Sequence, residues 1–266
     1  MKSVLIANLR KLAALAAAAS LLALSGCATT TTASAPNPND PAEGFNRAMF
    51  AVNDALDTVI LRPVAVVYDE AAPPPVKAAT GNFFSNLGEL WVAANNLMQG
   101  NVEDAFSDLG RFLVNSTFGI GGVFDIASEM GFEKHSKDFG QTMGVWGVDE
   151  GAYLFWPVLG PRTARDTLGL VVDGFADPLW YYHDVRWRNS LIGYRLVDTR
   201  SRLLPLDNIV EEAALDRYSY IRDSYLQMRR RSIRGDEYLL PDDNGASSTS
   251  EASPAVATTS AATSEP

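Results

Sequence analysis

Asp40-Pro41-Ala42-Glu43-Gly44-Phe45-Asn46-Arg47-Ala48-Met49-Phe50 reads as the opening of a helix. Asp40 is a capping residue type, proline follows at the first helical position, and Glu43 is placed to reach back to the cap. Behind this start, Phe45, Met49, Val52, Leu56 and Val59 recur at the 3.6-residue period and mark one apolar face. The same periodicity dominates the middle of the chain. Pro73-Pro74-Pro75 interrupts it, and Phe83, Leu87, Leu90, Trp91 and Leu97 then line an apolar stretch ending near Gly100. Asn101 is predicted to cap a further helix carrying Phe106, Leu109 and Leu113. From Gly119 to Gly160 the sequence is rich in glycine and aromatic residues, which predicts tight turns and close backbone approaches rather than regular helix. Periodicity returns with Ala164, Leu168, Val171 and Phe175, halts at Pro178, and resumes with Ile192, Leu196 and Leu203 before Pro205. A last helix is expected to open at the capping box Asn208-Ile209-Val210-Glu211 and to carry Tyr218, Ile221, Tyr225 and Met228. With no internal repeat and no series of alternating strands, the expected fold class is mostly α, in one domain over residues 40–240.

The flanking segments have other compositions. Lys2, Arg10 and Lys11 precede a short apolar run from Leu12 to Leu24, and Leu24-Ser25-Gly26-Cys27 comes next. This is the form of a lipoprotein signal peptide over residues 1–26, with Cys27 as the lipid anchor. Cys27 is the only cysteine, so an intramolecular disulfide is excluded. Several acyl chains on one terminus exceed the marginal membrane binding of a single chain. Ala28, rather than aspartate, follows the cysteine, which directs the expectation to the outer membrane. Residues 27–39 read as the acylated cysteine with a flexible Thr/Ala/Ser/Pro tether, and 241–266 as a disordered acidic Ser/Thr/Ala/Pro tail. Removing the three basic signal residues leaves 19 Lys and Arg against 32 Asp and Glu, a formal charge of −13, so nucleic acid is not an expected partner. After Cys27 nothing approaches the ~18 apolar residues of a spanning helix; the most apolar run, Gly151 to Gly160, contains Pro157.

The chemistry of an enzyme is not visible. There is no G-x-S-x-G elbow, no G-x-x-x-x-G-K phosphate loop and no H-E-x-x-H. The two histidines, His135 and His183, stand far apart without cysteine partners, so neither a metal nor another cofactor is expected. Adjacent carboxylates such as Asp149-Glu150 read as a solvated turn.

Three stretches carry a resemblance. The first is Asp40 to Arg47 with its continuation through Asn53 to Arg62-Pro63. The second is Arg111-Phe112 with Asn115-Ser116-Thr117-Phe118-Gly119-Ile120-Gly121-Gly122-Val123-Phe124-Asp125. The third is Asp138-Phe139-Gly140-Gln141-Thr142-Met143-Gly144 with Gly147, Gly151, Tyr153, Pro157 and Gly160-Pro161 up to Arg165-Asp166. Together with Asp216, Tyr218, Arg222, Tyr225 and Arg229, they resemble the MlaA (VacJ) family over about residues 40 to 235. Ala152, Arg162 and Arg217 depart from the proline, serine and proline common there, at positions given no chemical role. The resemblance implies amphipathic helices forming a ring or disc in the inner leaflet of the outer membrane around a central channel. It implies phospholipid as cargo, trimeric porins as partners and a soluble periplasmic carrier as recipient. On that basis Phe45, Asn46, Asn115, Gly119, Gly121, Gly122 and Asp125 are candidates for gating or lining the channel. Gly140, Gln141, Gly144 and Gly147 are candidates for a hairpin or porin contact, and Arg165 and Asp166 for meeting a lipid head group. Each has a plainer reading: a helix stop for the glycine loop, turns for the later glycines, an internal ion pair for Arg165 and Asp166. The triplet Arg229-Arg230-Arg231 with Arg234 fits anionic head groups or simply a solvated helix end. The alternatives at the level of function are a scaffold lipoprotein of the cell envelope and a membrane-surface lipid hydrolase.

Overall fold

The computed structural model describes residues 37–235; the signal segment, Cys27, most of the tether and the acidic tail lie outside them. The described chain is helical apart from one small hairpin. Helix α1 (Glu43–Leu56) passes through a π-helical turn, Asp57–Leu61, into α2 (Arg62–Ala71). After the break at Pro73 come α3 (Pro74–Met98) and α4 (Val102–Thr117), which pack on one another. The glycine-rich segment holds the short helices α5 (Ile126–Glu129) and α6 (Phe139–Val145), followed by strands β1 (Tyr153–Trp156) and β2 (Gly160–Thr163). Helix α7 (Ala164–Ala176) leads through a 3₁₀ turn, Pro178–Tyr181, to α8 (Val185–Ala213) and α9 (Arg217–Arg234). Helix α1 packs on the hairpin, α2 and α3 on α8, and α6 on α7 and α9.

Four local expectations are corrected. Asp40 does not cap α1: Ala42 is the N-cap, without a side-chain bond, and Glu43 pairs with Arg47 at 2.7 Å instead of reaching back. Asp40 is buried and accepts from Asn46 Nδ2 at 2.8 Å and from the Tyr218 hydroxyl, a long-range pull that outcompetes local capping. Asn101 stands at the N-cap of α4 but donates its side-chain amide to Asn96 Oδ1 at 3.3 Å. Pro205 does not end a helix: α8 runs through it, held on both sides because Arg200 binds Asp57 before the proline's turn and Asp207 beyond it. The break comes at Ala214–Asp216, where Asp216 takes the Tyr218 amide at 3.1 Å and opens α9. The strand hairpin at residues 153–163 is not where a hairpin is expected: the candidates Gly140, Gln141 and Gly144 lie in α6 and Gly147 just after it, while strands of four residues are too short to show a period and Pro157 and Gly160 read as interruptions. Its register pairs Tyr153 with Thr163 and Trp156 with Gly160, leaving Pro157-Val158-Leu159 as the turn.

The interior is the unusual part. Among the described residues ten hydrophobic side chains are buried against nineteen polar or charged ones. The α1 face that reads as apolar is largely outside: Phe45 is 45% and Val59 73% exposed, while Asn46 is fully buried. An aromatic cluster of Phe50, Tyr153, Phe155 and Tyr218 joins α1, the hairpin and α9, with Phe50 edge-on to Phe155 at 5.4 Å. Elsewhere hydrogen bonds and ion pairs hold the helices. Exposed Leu, Ile, Val, Phe and Trp recur on α1 to α4, α7 and α8, far beyond the scattered apolar residues of an ordinary water-soluble surface.

Candidate functional site

Three buried polar networks form a frame. In the first, Arg111 of α4, 1% exposed, faces Glu89 of α3 at 3.4 Å and Asp125 at 3.0 Å, and donates to Ser128 and to the Phe132 carbonyl. Asn115 donates to Asp125 at 3.0 Å and accepts from the Ala127 amide at 2.9 Å. Burial pushes the Asp125 carboxyl up, but hydrogen bonds from Ser128, Asn115 and Arg111 outweigh it and hold the group at about 2. Burial raises Glu89, only partly offset by Arg111. This network folds the Gly119–Gly122 loop back onto the two helices. A Cβ at Gly119 would collide with the Phe124 carbonyl oxygen, and Gly122 has φ +90 with Asn86 Cβ crowding the place where its own Cβ would stand. Both positions therefore require glycine.

In the second network, Arg229 of α9 joins Asp138, which caps α6, to Asp166 of α7 at 2.6 and 2.8 Å. Asp166 also accepts from the Tyr225 hydroxyl at 2.6 Å and pairs with Arg165 at 3.3 Å. Burial raises this carboxyl as well, and Arg229 and Tyr225 bring it down to about 2. In the third, Asn46 clamps the hairpin: its amide donates to the Tyr153 carbonyl at 2.9 Å and its oxygen accepts from the Phe155 amide at 2.9 Å.

Beside the frame lies an amphipathic cavity of about 580 Å³ between α1 with its π turn, the hairpin, α8 and α9. Its walls include Leu56, Ile60, Leu196, Leu203 and Ile221 together with Asn53, Asp54, Asp57, Arg200, Asp207 and Arg217. Arg200 binds Asp57 at 2.7 Å and Asp207 at 2.8 Å, and Arg217 binds Asp54 at 3.1 Å. The bond to Asp57 raises Arg200 above the usual arginine range, so its charge is permanent. The hairpin turn enters this wall with Val158 at φ 67, its amide donating to Asn53 Oδ1 at 2.8 Å. A β-branched residue at positive φ is strained, and the Asn53 bond is what secures it there. Paired charge beside exposed leucine and isoleucine suits a molecule with a polar and an apolar end.

Two further concavities are chemically purer. An apolar groove of about 720 Å³ runs between α3 and α4, walled by Leu87, Leu90, Trp91, Leu97, Phe106 and Phe112 among others. A polar pocket of about 560 Å³ joins Gly144, Gly147, Asp149, Glu150 and Arg165 to Arg230 and Arg234 of α9.

The structure separates the residues singled out in the sequence. Phe45 points outward; Asn46, Asn115 and Asp125 belong to the frame; Gly119, Gly121 and Gly122 form the loop folded under it; and none of these lines the amphipathic cavity. Gly140 and Gln141 start α6, where a Cβ on Gly140 would meet Asp166 Oδ1 at 2.7 Å. Gly144, Gly147 and Arg165 converge on the polar pocket, while Asp166 is spent inside the frame. Of the cavity lining, sequence reasoning names Leu56, Leu196, Leu203 and Ile221 only as apolar helix-face positions and none of the ion pairs. Arg200 and Asp207 pair two helical turns apart, but Asp57 meets Arg200 across 143 positions of sequence and Asp54 meets Arg217 across 163. Arg217, a departure given no chemical role, lines the cavity. Among the described residues no helix is long and apolar enough to cross a membrane, and no group of His, Cys, Asp and Glu is placed to hold a metal.

Fold and site thus define a helical protein with a polar frame, an apolar exterior and an amphipathic cavity. Residues 38–232 match the family pattern of the MlaA lipoprotein, and the chain belongs to that family. It is 34% identical over 240 residues to the intermembrane phospholipid transport system lipoprotein MlaA of Escherichia coli, covering 88% of this chain and 92% of that one. The protein of the same description from Haemophilus influenzae is 32% identical, covering 86% and 95%. An uncharacterized Rickettsia typhi protein is 36% identical over 196 residues, 73% of this chain and 78% of its own. A solved structure, from work on the structural basis for maintenance of bacterial outer membrane lipid asymmetry, superimposes with TM-score 0.65 at 32% identity, covering 73% of this chain and 98% of that one.

Proposed function

We propose that this protein is a non-enzymatic lipoprotein that maintains outer-membrane lipid asymmetry by withdrawing misplaced phospholipid from the outer leaflet. The observation that carries this is the inverted distribution of polarity: charges paired inside, aliphatic and aromatic side chains outside, and a cavity carrying both kinds of surface. A protein standing wholly in water gains by hiding apolar surface, at ~25 cal/mol per Å². One lying among acyl chains has no such incentive and instead satisfies its polar groups internally. The helices would lie in the inner leaflet as a ring, anchored by acylated Cys27 and facing the periplasm. The cavity between α1, the hairpin, α8 and α9 would be the channel, its ion pairs meeting the head group and its leucines the acyl chains. Descent from the wrong leaflet needs no nucleotide. Exposing acyl chains to water costs ~0.8 kcal/mol per CH₂, so a soluble periplasmic carrier must receive the lipid, and trimeric porins supply the neighbouring wall.

Phospholipid in the outer leaflet is the measurement, in cells lacking the protein, carrying a plasmid copy, or carrying Cys27→Ala. A rise reversed only by the anchored copy is expected. No rise, with normal resistance to detergent and chelator, would replace the reading with that of a structural scaffold of the envelope.

A further inference from the structure

The polar pocket beside α9 shares no lining residue with the amphipathic cavity and touches the frame through Arg165, and its walls are organised. Arg165 is only 6% exposed, and its guanidinium is fixed in direction by Asp166 at 3.3 Å and by the Val148 carbonyl at 3.2 Å. Gly144 lets it pass: a Cβ there would stand 3.1 Å from Arg165 Nη1 and 2.7 Å from Ile233. On the facing side Arg230 binds Glu150 at 2.5 Å, so one cation and one carboxylate of the pocket neutralise each other. What remains on the lining is the positive charge of Arg165 and Arg234 and the negative charge of Asp149, which is exposed at the rim. Arg165 also has its partner in Asp166, but five guanidinium N–H groups exceed the bonds it makes there.

We infer that this pocket is a head-group site for a zwitterionic phospholipid, with the phosphate at Arg165 and Arg234 and the ammonium at Asp149. The chemistry is a phosphodiester anion linked by two carbons to an amine, for which two arginines, one from α7 and one from α9, and one rim carboxylate are matched. Arginine suits phosphate by its forked donors. The volume, about 560 Å³, is within the roughly 300–1,000 Å³ range of small-molecule sites. A phosphate without an amine satisfies only the arginines; a diol head group such as phosphoglycerol leaves Asp149 facing the anion with no cation between them. The inference rests on the lipid-transport reading and adds to it a preference among head groups.

The test is calorimetric titration of the purified full-length lipoprotein in detergent with short-chain phosphatidylethanolamine, short-chain phosphatidylglycerol, phosphoethanolamine and inorganic phosphate. Saturable binding of the ethanolamine lipid, tighter than the glycerol lipid by about threefold to fivefold, is expected from one rim-exposed charge pair. Asp149→Asn should erase that preference, and Arg234→Gln should weaken both lipids alike. Both substitutions lie at exposed positions and leave the buried frame intact. Phosphoethanolamine binding without its acyl chains would assign the recognition to the pocket; comparable binding of inorganic phosphate, unaffected by Asp149→Asn, would reduce it to a general anion site and overturn the inference. Equal affinity for the two lipids, or none for either, in a protein that still restores outer-leaflet asymmetry would overturn it while leaving the transport reading standing. Failure in both assays would remove the reading itself.

Discussion

The frame and the amphipathic cavity lie side by side and are built on opposite rules. In the buried part of the molecule each ion pair has at least one buried member: Arg111 with half-buried Asp125, Arg229 with half-buried Asp138 and buried Asp166, Arg222 with buried Asp40. In the cavity the charges are paired too, but they share a wall with leucines and isoleucines that stay exposed. The frame residues can be changed only together, whereas the cavity's apolar residues need only be apolar. That difference separates what fixes the shape from what touches a ligand, and it can be attacked from either side.

The heaviest blow falls on the frame. Arg229→Met leaves Asp166 with only Arg165 and the Tyr225 hydroxyl and should cost about 3–5 kcal/mol, the usual effect of breaking one side of a buried pair, read as a lowered denaturation midpoint in detergent. Acid should work through the same carboxylate. Asp166 sits at about 2 in the fold against about 3.9 when unfolded. Its stabilisation, on the order of 2–3 kcal/mol, is complete above pH ~4 and fades as pH falls toward ~2. Asp166→Asn should flatten that part of the pH–stability curve, and an unchanged curve would show that another carboxylate governs it. Asn46→Ala removes both hydrogen bonds to the hairpin and should cost about 1–3 kcal/mol through the unpaired strand groups. Hydrogen exchange at Phe155 would report it. Leu203→Trp, on the exposed cavity wall, should alter stability by only about 0.5 kcal/mol and yet block passage, raising outer-leaflet phospholipid to the level of the null strain. A variant that kept asymmetry intact would place the route elsewhere.

The legibility of the sequence follows the same division. Helical periodicity is plain over α3, α4 and α7, and the proline breaks near 73 and 178 stand where the pattern puts them. Two cues mislead for a physical reason. A capping pattern at Asp40 and a breaker at Pro205 are local signals, and each is overruled by contacts from far along the chain, Tyr218 and Arg222 in one case and Asp57 in the other. The assumption that an apolar stripe marks the inside also fails on α1, since Phe45 and Val59 face out and Asn46 faces in. The candidate residues come from the stretches with distinctive chemistry, Asn46, Asn115, Asp125 and Asp166, and distinctive chemistry is what a buried polar frame demands. Leu56 and Leu203 are marked in the sequence only as members of apolar helix faces and Ile60 not at all, and Asp57 with Arg200 becomes a pair only when the chain is folded.

A photoreactive residue placed at Leu203, on the cavity wall, and separately at Lys134, in an exposed loop outside it, tests the central claim most directly. After irradiation in cells, the purified protein is examined by mass spectrometry for covalently attached phospholipid. The expected result is an adduct at Leu203, absent at Lys134 and lost when Leu196→Trp narrows the cavity. Equal labelling at both positions, or an adduct at Leu203 that survives Leu196→Trp, would contradict the claim that lipid passes between α1, the hairpin, α8 and α9.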